Sequence, residues 1–129
     1  MGKILLADDE PVVRKLFGIY FGRAFPNREV ETFVDGTELS ERLDKGVEGV
    51  DLIWTDNTMP GMSGREIAQR YSGIGVPIII CSGDLSEEEA RDAGAFGYVP
   101  KPANRDQVVD AARSALDYSE SLNNSRGSD

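Results

Sequence analysis

Histidine is absent from this chain of 129 residues, and cysteine occurs only once, at Cys81. Without histidine there is no Ser-His-Asp or Cys-His nucleophile system, no zinc site with histidine ligands and no histidine to carry a phosphoryl group. A single cysteine cannot form an intramolecular disulfide, and it excludes a cysteine-rich metal site. Chemistry at this chain must therefore depend on carboxylates, hydroxyls, lysine and hard cations such as Mg²⁺ or Ca²⁺.

Basic residues and long apolar runs are also scarce. The chain has 14 Lys and Arg against 23 Asp and Glu, a net charge of −9. This charge repels phosphates, so we expect no direct binding to nucleic acid and no docking on anionic membranes. The longest apolar runs, Ile4–Ala7 and Ile78–Cys81, are far shorter than the about 20 residues of a membrane-spanning helix. The acids at 8–10 follow the first run at once, unlike in a signal peptide, and a cytoplasmic location is expected.

The length favours a single domain. With 129 residues the chain is too short for two domains, and with 40% hydrophobic residues it has enough apolar side chains for one core. We place this domain at residues 1–120. The polar sequence from Ser119 onwards is expected to fray, and residues 121–129 are expected to form a tail or the stub of a linker.

Short apolar segments alternate with longer amphipathic ones along the chain. Strands are predicted at Lys3–Ala7, Glu29–Phe33, Asp51–Thr55, Pro77–Cys81 and Phe96–Val99. Helices are predicted at Pro11–Phe25, Thr37–Lys45, Arg65–Tyr71, Glu87–Asp92 and from Asn104 onwards. Such alternation requires parallel strands joined by right-handed crossovers, with helices on both faces. The sequence therefore predicts an α/β fold, a doubly wound (βα)5 sandwich of three layers.

Polar residues follow four of the five predicted strands. In doubly wound sheets the ligand site lies beyond the carboxyl ends of the strands. The residues found there are Asp8, Asp9 and Glu10 after the first strand, Asp56 after the third, Ser82, Gly83 and Asp84 after the fourth, and Lys101 after the fifth. We expect carboxylates, a hydroxyl and an ammonium group to meet at one edge of the sheet.

These groups have the chemistry that phosphoryl transfer needs. Asp8, Asp9 and Asp56 would repel one another, and a hard divalent cation would offset their charge. Mg²⁺ is held by one or two carboxylates and leaves room for a phosphate oxygen. Lys101 offers a mobile positive charge and Ser82 a hydroxyl donor for phosphoryl oxygens. With neither histidine nor cysteine available, an aspartate is the expected nucleophile.

Four motifs in this sequence resemble those of the receiver domain of response regulators, the CheY-like domain of two-component signalling. They are Ile4-Leu5-Leu6-Ala7-Asp8-Asp9-Glu10, Asp51-Leu52-Ile53-Trp54-Thr55-Asp56 with the loop to Gly64, Cys81-Ser82-Gly83, and Gly97-Tyr98-Val99-Pro100-Lys101-Pro102. The resemblance extends from Lys3 to Tyr118. It implies a flavodoxin-like strand order, 2-1-3-4-5, and a cis peptide bond between Lys101 and Pro102.

The resemblance also implies a phosphoacceptor and a metal site. Asp56 would accept a phosphoryl group from a phosphohistidine on a histidine kinase or a histidine phosphotransfer protein. Mg²⁺ would be bound by Asp9, Asp56 and the backbone carbonyl of Thr58, and Asp8 would support it through water. Mn²⁺ or Ca²⁺ could substitute in this site.

The same resemblance implies roles for five further positions around the phosphoryl group. Lys101 would pair with it, Ser82 would turn to donate a hydrogen bond to it, and Tyr98 would then turn inward. This would alter the surface formed by the last two helices and the fifth strand. A downstream protein or an output domain absent from this chain would bind to that surface. The same surface could serve a homodimer. Thr58 and Asp84 occupy positions that tune the lifetime of the phosphoryl group.

Other interpretations remain open at this point. The main alternative is a protein-interaction module with the same fold that works without phosphorylation. A phosphatase of the haloacid dehalogenase type requires Asp-x-Asp after the first strand, whereas Asp8 and Asp9 are adjacent. A flavodoxin-type binder requires a hydroxyl- and glycine-rich phosphate loop there, whereas Asp8, Asp9 and Glu10 would repel the phosphate. A dinucleotide site is not indicated either, because the sequence contains no G-x-G-x-x-G motif. We therefore expect that the chain is not an enzyme and that it catalyses only its own phosphoryl transfer and autodephosphorylation.

Overall fold

The computed structural model of the chain describes residues 2–127, with side chains up to residue 123. Five strands alternate with five helices along these residues. The strands are β1 (Lys3–Ala7), β2 (Glu29–Phe33), β3 (Val50–Thr55), β4 (Ile78–Ser82) and β5 (Gly97–Pro100). The helices are α1 (Pro11–Ala24), α2 (Gly36–Asp44), α3 (Gly64–Tyr71), α4 (Glu87–Asp92) and α5 (Arg105–Gly127).

The five strands form one parallel sheet in the order β2-β1-β3-β4-β5. This order confirms the predicted doubly wound α/β fold. The chain moves outwards from β1 to β2 and then returns to β3 on the other side of β1. Ala7 at the end of β1 pairs with Thr55 at the end of β3. The residues after these two strands therefore meet at the switch point, where α/β sheets bind their ligands.

Both faces of the sheet are covered by helices, which is why the three inner strands β1, β3 and β4 are mostly apolar, whereas the edge strand β2 is more polar. In β3, Ile53 packs towards α2, α3 and α4, whereas Trp54 packs towards α1 and α5. Trp54 is 1% exposed, and its ring meets those of Phe17 and Phe21 edge-on at centroid distances of 6.0 and 5.2 Å. The core thus holds the strand that leads directly to Asp56.

Two capping boxes fix the loops on the carboxyl side of the sheet. Ser63 and Ser86 each accept a hydrogen bond from the backbone N–H three residues later, at the starts of α3 and α4. The side chains of Glu66 and Glu89 accept from the backbone N–H of the two serines in return. These bonds satisfy N–H groups that the helices leave free. The loops after β3 and β4 are consequently held at both ends.

The predicted element bounds agree with the observed ones to within one residue, apart from the end of α5. Strand β4 illustrates the physical reason for one such shift. It begins at Ile78 because Pro77 has no N–H to contribute to the sheet. It includes Ser82, whose backbone pairs with Pro100. A residue that the sequence placed after the strand is therefore anchored within the sheet.

Helix α5 continues to Gly127, past Ser119, where the sequence led us to expect fraying. The Ser119 hydroxyl donates to the backbone carbonyl of Asp51, and Arg28 bridges the carboxylates of Asp51 and Glu120 at 3.1 and 3.0 Å. Distant partners thus stabilise a polar helix end. A domain ending at residue 120 with a tail at 121–129 stays a prediction, and residues 128 and 129 lie outside the described part. No helix within residues 2–127 is long and apolar enough to cross a membrane.

Candidate functional site

Three aspartates meet at the carboxyl edge of the sheet, as predicted from the ends of the strands. One carboxylate oxygen from each of Asp8, Asp9 and Asp56 lies within 4.8 Å of the other two. Asp8 is 2% exposed and Asp56 7% exposed, whereas Asp9 faces solvent. The backbone N–H of Asp56 donates to the carbonyl of Ala7 at 2.9 Å, which links the ends of the two central strands.

Close packing of the backbone also fixes Asp56. A Cβ atom on Gly64, the first residue of α3, would lie 2.3 Å from the carbonyl oxygen of Asp56. Only glycine leaves room for this approach of helix to loop. The backbone N–H of Asn57 donates to Asp56 Oδ1 at 2.8 Å, so the carboxylate is oriented by its own loop.

Lys101 lies between the two buried carboxylates. Its Nζ is 3.0 Å from Asp8 Oδ2 and 3.5 Å from Asp56 Oδ2. Burial opposes the charged form, but the hydrogen bond to Asp8 and the charge of Asp56 outweigh it and raise the pKa of Lys101 above 10.5. The peptide bond between Lys101 and Pro102 is cis, as the resemblance implied. The ammonium group is therefore charged and held at the site.

Asp56 is the perturbed acid of this cluster. Burial, followed by the negative charge of Asp8, raises the pKa of Asp56 from 3.8 to about 6. The charge of Lys101 and the Asn57 N–H oppose this rise without cancelling it. The Asp56 carboxylate is thus ionised at neutral pH at a cost in free energy. A cation or any change that removes its charge would relieve that cost.

The donor set fits a hard divalent cation. Three carboxylates face one ammonium group, and the formal charges sum to −3 + 1 = −2. Both oxygens of Asp8 already accept hydrogen bonds, from the backbone N–H of Glu10 at 2.9 Å and from Lys101. Among the described residues, no donor is bonded to the carboxylate of Asp9. Asp9 therefore offers free oxygens, and Asp56 Oδ2 has only the longer contact of 3.5 Å with Lys101, so these two carboxylates are the ones available to Mg²⁺.

Asp84 connects two loops across the mouth of the site. Its carboxylate accepts hydrogen bonds from the hydroxyls of Ser82 and Thr58, and the Asn57 amide nitrogen lies 3.4 Å away. The bonds from Ser82 and Thr58 lower the pKa of Asp84. The sequence singled out Thr58 and Asp84 separately, and it gave Asn57 no role. Contacts across 26 or 27 residues carry no sequence signal.

Tyr98 is linked to the site through the backbone of Ser82. Its hydroxyl donates to the Ser82 carbonyl at 2.7 Å, and the half-buried ring packs against the α2–α3–α4 side of the core. Burial raises the pKa of Tyr98. The neighbouring Cys81 is 1% exposed, and burial raises the pKa of its thiol to about 12. Cys81 is therefore a packing residue and no nucleophile at neutral pH.

An open cavity of about 420 Å³ gives access to this cluster. It is lined by Asp9, Glu10, Asp56, Thr58, Ser82, Gly83, Asp84 and Lys101. A cavity of about 440 Å³ at the opposite edge of the sheet has no comparable chemistry, since its Arg28 is already paired with Asp51 and Glu120. The acidic cavity is therefore the candidate site.

A parallel five-stranded α/β sheet with buried aspartates and a lysine at its carboxyl edge defines a class of small phosphoryl-accepting domains. The chain belongs to the response regulator receiver domain family, whose pattern it matches over residues 4–113. Members of this family accept phosphoryl groups in two-component signalling and are in general not enzymes.

Known relatives agree with this assignment. The chain is 32% identical to the glycerol metabolism activator of Pseudomonas putida over 121 residues, which are 90% of this chain and 54% of that protein. It is 32% identical to the response regulator protein PilR of Pseudomonas aeruginosa over 120 residues, which are 88% of this chain and 26% of that protein. The chain thus spans about half of the first relative and about a quarter of the second.

A solved structure shows the same fold. The response regulator receiver domain protein from Clostridium thermocellum superposes with a TM-score of 0.84 at 26% identity. The match covers 95% of this chain and 99% of that one. The two chains therefore share one fold over almost all of their lengths.

Proposed function

We propose that Asp56 accepts a phosphoryl group from a phosphohistidine on a histidine kinase or a histidine phosphotransfer protein. An oxygen of the Asp56 carboxylate forms the new bond to phosphorus, and the bond from phosphorus to the imidazole nitrogen breaks. The imidazole leaves with the electron pair of the broken P–N bond. It leaves as neutral imidazole when its other ring nitrogen already carries a proton, and otherwise it takes up one proton from water. The observation that carries this proposal is the buried Asp56 carboxylate beside two further aspartates and Lys101.

The chain's own residues support the metal that such a transfer needs. Asp9, Asp56 and the backbone carbonyl of Thr58 would hold Mg²⁺, with Mn²⁺ or Ca²⁺ as substitutes. Asp8 would act through water, which fits the engagement of both its oxygens by Glu10 and Lys101. When bound, Mg²⁺ offsets the negative charge that gathers on the carboxylates and the phosphoryl oxygens.

Lys101 and Ser82 would stabilise the transferred group. The ammonium group of Lys101 is 3.5 Å from Asp56 Oδ2, so a short movement brings it to an oxygen of a phosphoryl group on Asp56. The hydroxyl of Ser82 lines the same cavity and would supply a hydrogen bond to another oxygen. Both contacts act on charge that develops during the transfer.

The exposed surface of α1 favours a protein as the phosphodonor. Val12, Leu16 and Ile19 are 78%, 41% and 40% exposed, and their spacing places them along one face of the helix. Leu16 also lines an apolar groove that reaches Pro102 and Lys101 beside the acceptor site. A donor helix bound here would bring its phosphohistidine to the mouth of the acidic cavity.

The response to phosphorylation would appear on the surface of α4, β5 and α5. Ser82 would turn towards the phosphoryl group, and Tyr98, which is bonded to the Ser82 backbone, would turn inward. A downstream protein, an output domain outside this sequence or a second copy of the chain would recognise the new surface. We place the reaction in the cytoplasm, with a receiver domain at residues 1–120 followed by a tail or linker.

The test is the intact mass of the protein after incubation with Mg²⁺ and acetyl phosphate. We expect the wild-type protein to gain one phosphoryl group and Asp56→Asn to gain none. No gain in either protein, together with a Trp54 fluorescence that does not respond to Mg²⁺, would contradict the proposal. That result would favour the alternative, an interaction module that works without phosphorylation.

A further inference from the structure

Asp84 lines the same cavity as Asp56, and it accepts the hydrogen bond of the hydroxyl that would stabilise a phosphoryl group there. The Ser82 hydroxyl donates to the Asp84 carboxylate, and so does the Thr58 hydroxyl from the loop after β3. We propose that Asp84 is an internal competitor of the phosphoryl group, which holds Ser82 until a phosphoryl group displaces it. This inference rests on the proposed function of Asp56, and it assigns Asp84 as a positioning residue that acts through Ser82.

The competition follows from the single proton of a serine hydroxyl. Ser82 can donate only one hydrogen bond at a time, and in this structure the acceptor is Asp84. The backbone N–H of Asp84 donates back to Ser82 Oγ at 3.1 Å, which closes a small ring of hydrogen bonds. Ser82 itself is 1% exposed, so its hydroxyl has little contact with bulk solvent. A phosphoryl oxygen must therefore replace Asp84 before it can use this donor.

The Asp84 carboxylate and a phosphoryl group, the two acceptors that compete for Ser82, also repel each other because both are negatively charged. Asp84 and Asp56 line the same cavity, and a phosphoryl group on Asp56 would add negative charge beside the Asp84 carboxylate. The unphosphorylated protein is thus stabilised by contacts that the phosphorylated protein loses. The competition lowers the affinity of the site for a phosphoryl group by the free energy of the Asp84 bonds.

The same contacts tie the site to α4. Asp84 belongs to the short segment between β4 and Ser86, the residue that caps α4, whereas Thr58 and Asn57 belong to the loop after β3. Asp84 therefore joins the two loops in the unphosphorylated protein. Its release would free the connection to α4 at the same time as Ser82 turns.

The chain offers a matched control for charge alone. Glu10 lines the same cavity and is exposed, and within the described residues its carboxylate makes no contact with Ser82 or Thr58. Glu10→Gln removes one negative charge from the cavity and leaves the Asp84 bonds intact. Asp84→Ala removes the same charge together with the acceptor. Thermal unfolding of each variant verifies that it is folded.

The experiment titrates the full chain with beryllofluoride, an analogue of a phosphoryl group, in excess Mg²⁺ by calorimetry. We expect Asp84→Ala to bind about tenfold more tightly than wild type, which corresponds to about 1.4 kcal/mol. Glu10→Gln should gain markedly less. In a Ser82→Ala background, Asp84→Ala should increase the affinity for beryllofluoride no more than Glu10→Gln does. The Ser82 hydroxyl, for which Asp84 and the analogue compete, is then missing.

Two results would overturn the inference while the proposed function stands. One is an equal affinity of wild type and Asp84→Ala, and the other is an equal gain for Asp84→Ala and Glu10→Gln. A wild-type protein that binds no beryllofluoride and is not modified by acetyl phosphate would instead refute the proposed function itself.

Discussion

Replacing Asp56 by asparagine should stabilise the protein when no divalent cation is present. Burial and the charge of Asp8 raise the pKa of Asp56 from 3.8 to about 6. Between these two pH values the folded protein holds the proton more tightly than the unfolded chain does. Stability from the protonated carboxyl is therefore lost as the pH rises to about 6, and the ionised form carries the full cost above that pH.

The size of the effect follows from the same shift. A difference of about two pKa units corresponds to about 3 kcal/mol, since one unit is about 1.4 kcal/mol. Asparagine removes the charge, but it also weakens the contact of Lys101 at 3.5 Å. We therefore expect Asp56→Asn to unfold with a free energy about 2 kcal/mol higher than wild type at about pH 7.5 in EDTA.

Urea unfolding followed by Trp54 fluorescence measures this difference, because Trp54 is 1% exposed in the fold. The gain should shrink as the pH falls below about 6, and it should approach zero only at about pH 3, below the ordinary Asp pKa of 3.8, where Asp56 is protonated in both states. Asp117→Asn, at an exposed position of α5, should change stability by no more than about 0.5 kcal/mol. A variant no more stable than wild type at neutral pH, or a gain that does not depend on pH, would show that the buried charge of Asp56 does not destabilise the fold.

Two further predictions concern residues that hold the site and the last helix. Lys101→Met removes the partner 3.0 Å from the buried Asp8 carboxylate, and it should lower the free energy of unfolding in EDTA by about 2–3 kcal/mol. Added Mg²⁺ should restore part of this loss in a urea titration, and no loss would contradict the role of the pair. Arg28→Ala removes the bridge between Asp51 and Glu120, and amide hydrogens near Ser119 should then exchange faster. Unchanged exchange there would show that the bridge does not hold the helix end.

The place of the site was predictable from the sequence because parallel strands end at one edge of the sheet. Asp8, Asp56 and Lys101 each follow a short apolar segment, and that position alone brings them together. The pairing of Lys101 with both carboxylates follows from charge once they are neighbours. The roles of these residues in phosphoryl transfer stay predictions.

The contacts of Asp84 were beyond sequence reasoning for a physical reason. They depend on the side-chain conformations of Ser82, at the end of β4, and of Thr58, in the loop after β3, which are 24 residues apart in the sequence. The end of α5 is a similar case, since local polarity favours fraying at Ser119. Its hydroxyl is instead bonded to the carbonyl of Asp51, and tertiary contacts override the local preference.

The position of the acyl phosphate decides whether Asp56 is the phosphoacceptor. Borohydride reduces an aspartyl phosphate to homoserine, so peptide mass mapping after treatment with acetyl phosphate and Mg²⁺ identifies the modified residue. We expect homoserine at position 56 and unmodified aspartate at Asp8, Asp9 and Asp84. Homoserine at one of those three positions, with Asp56 intact, would contradict this expectation.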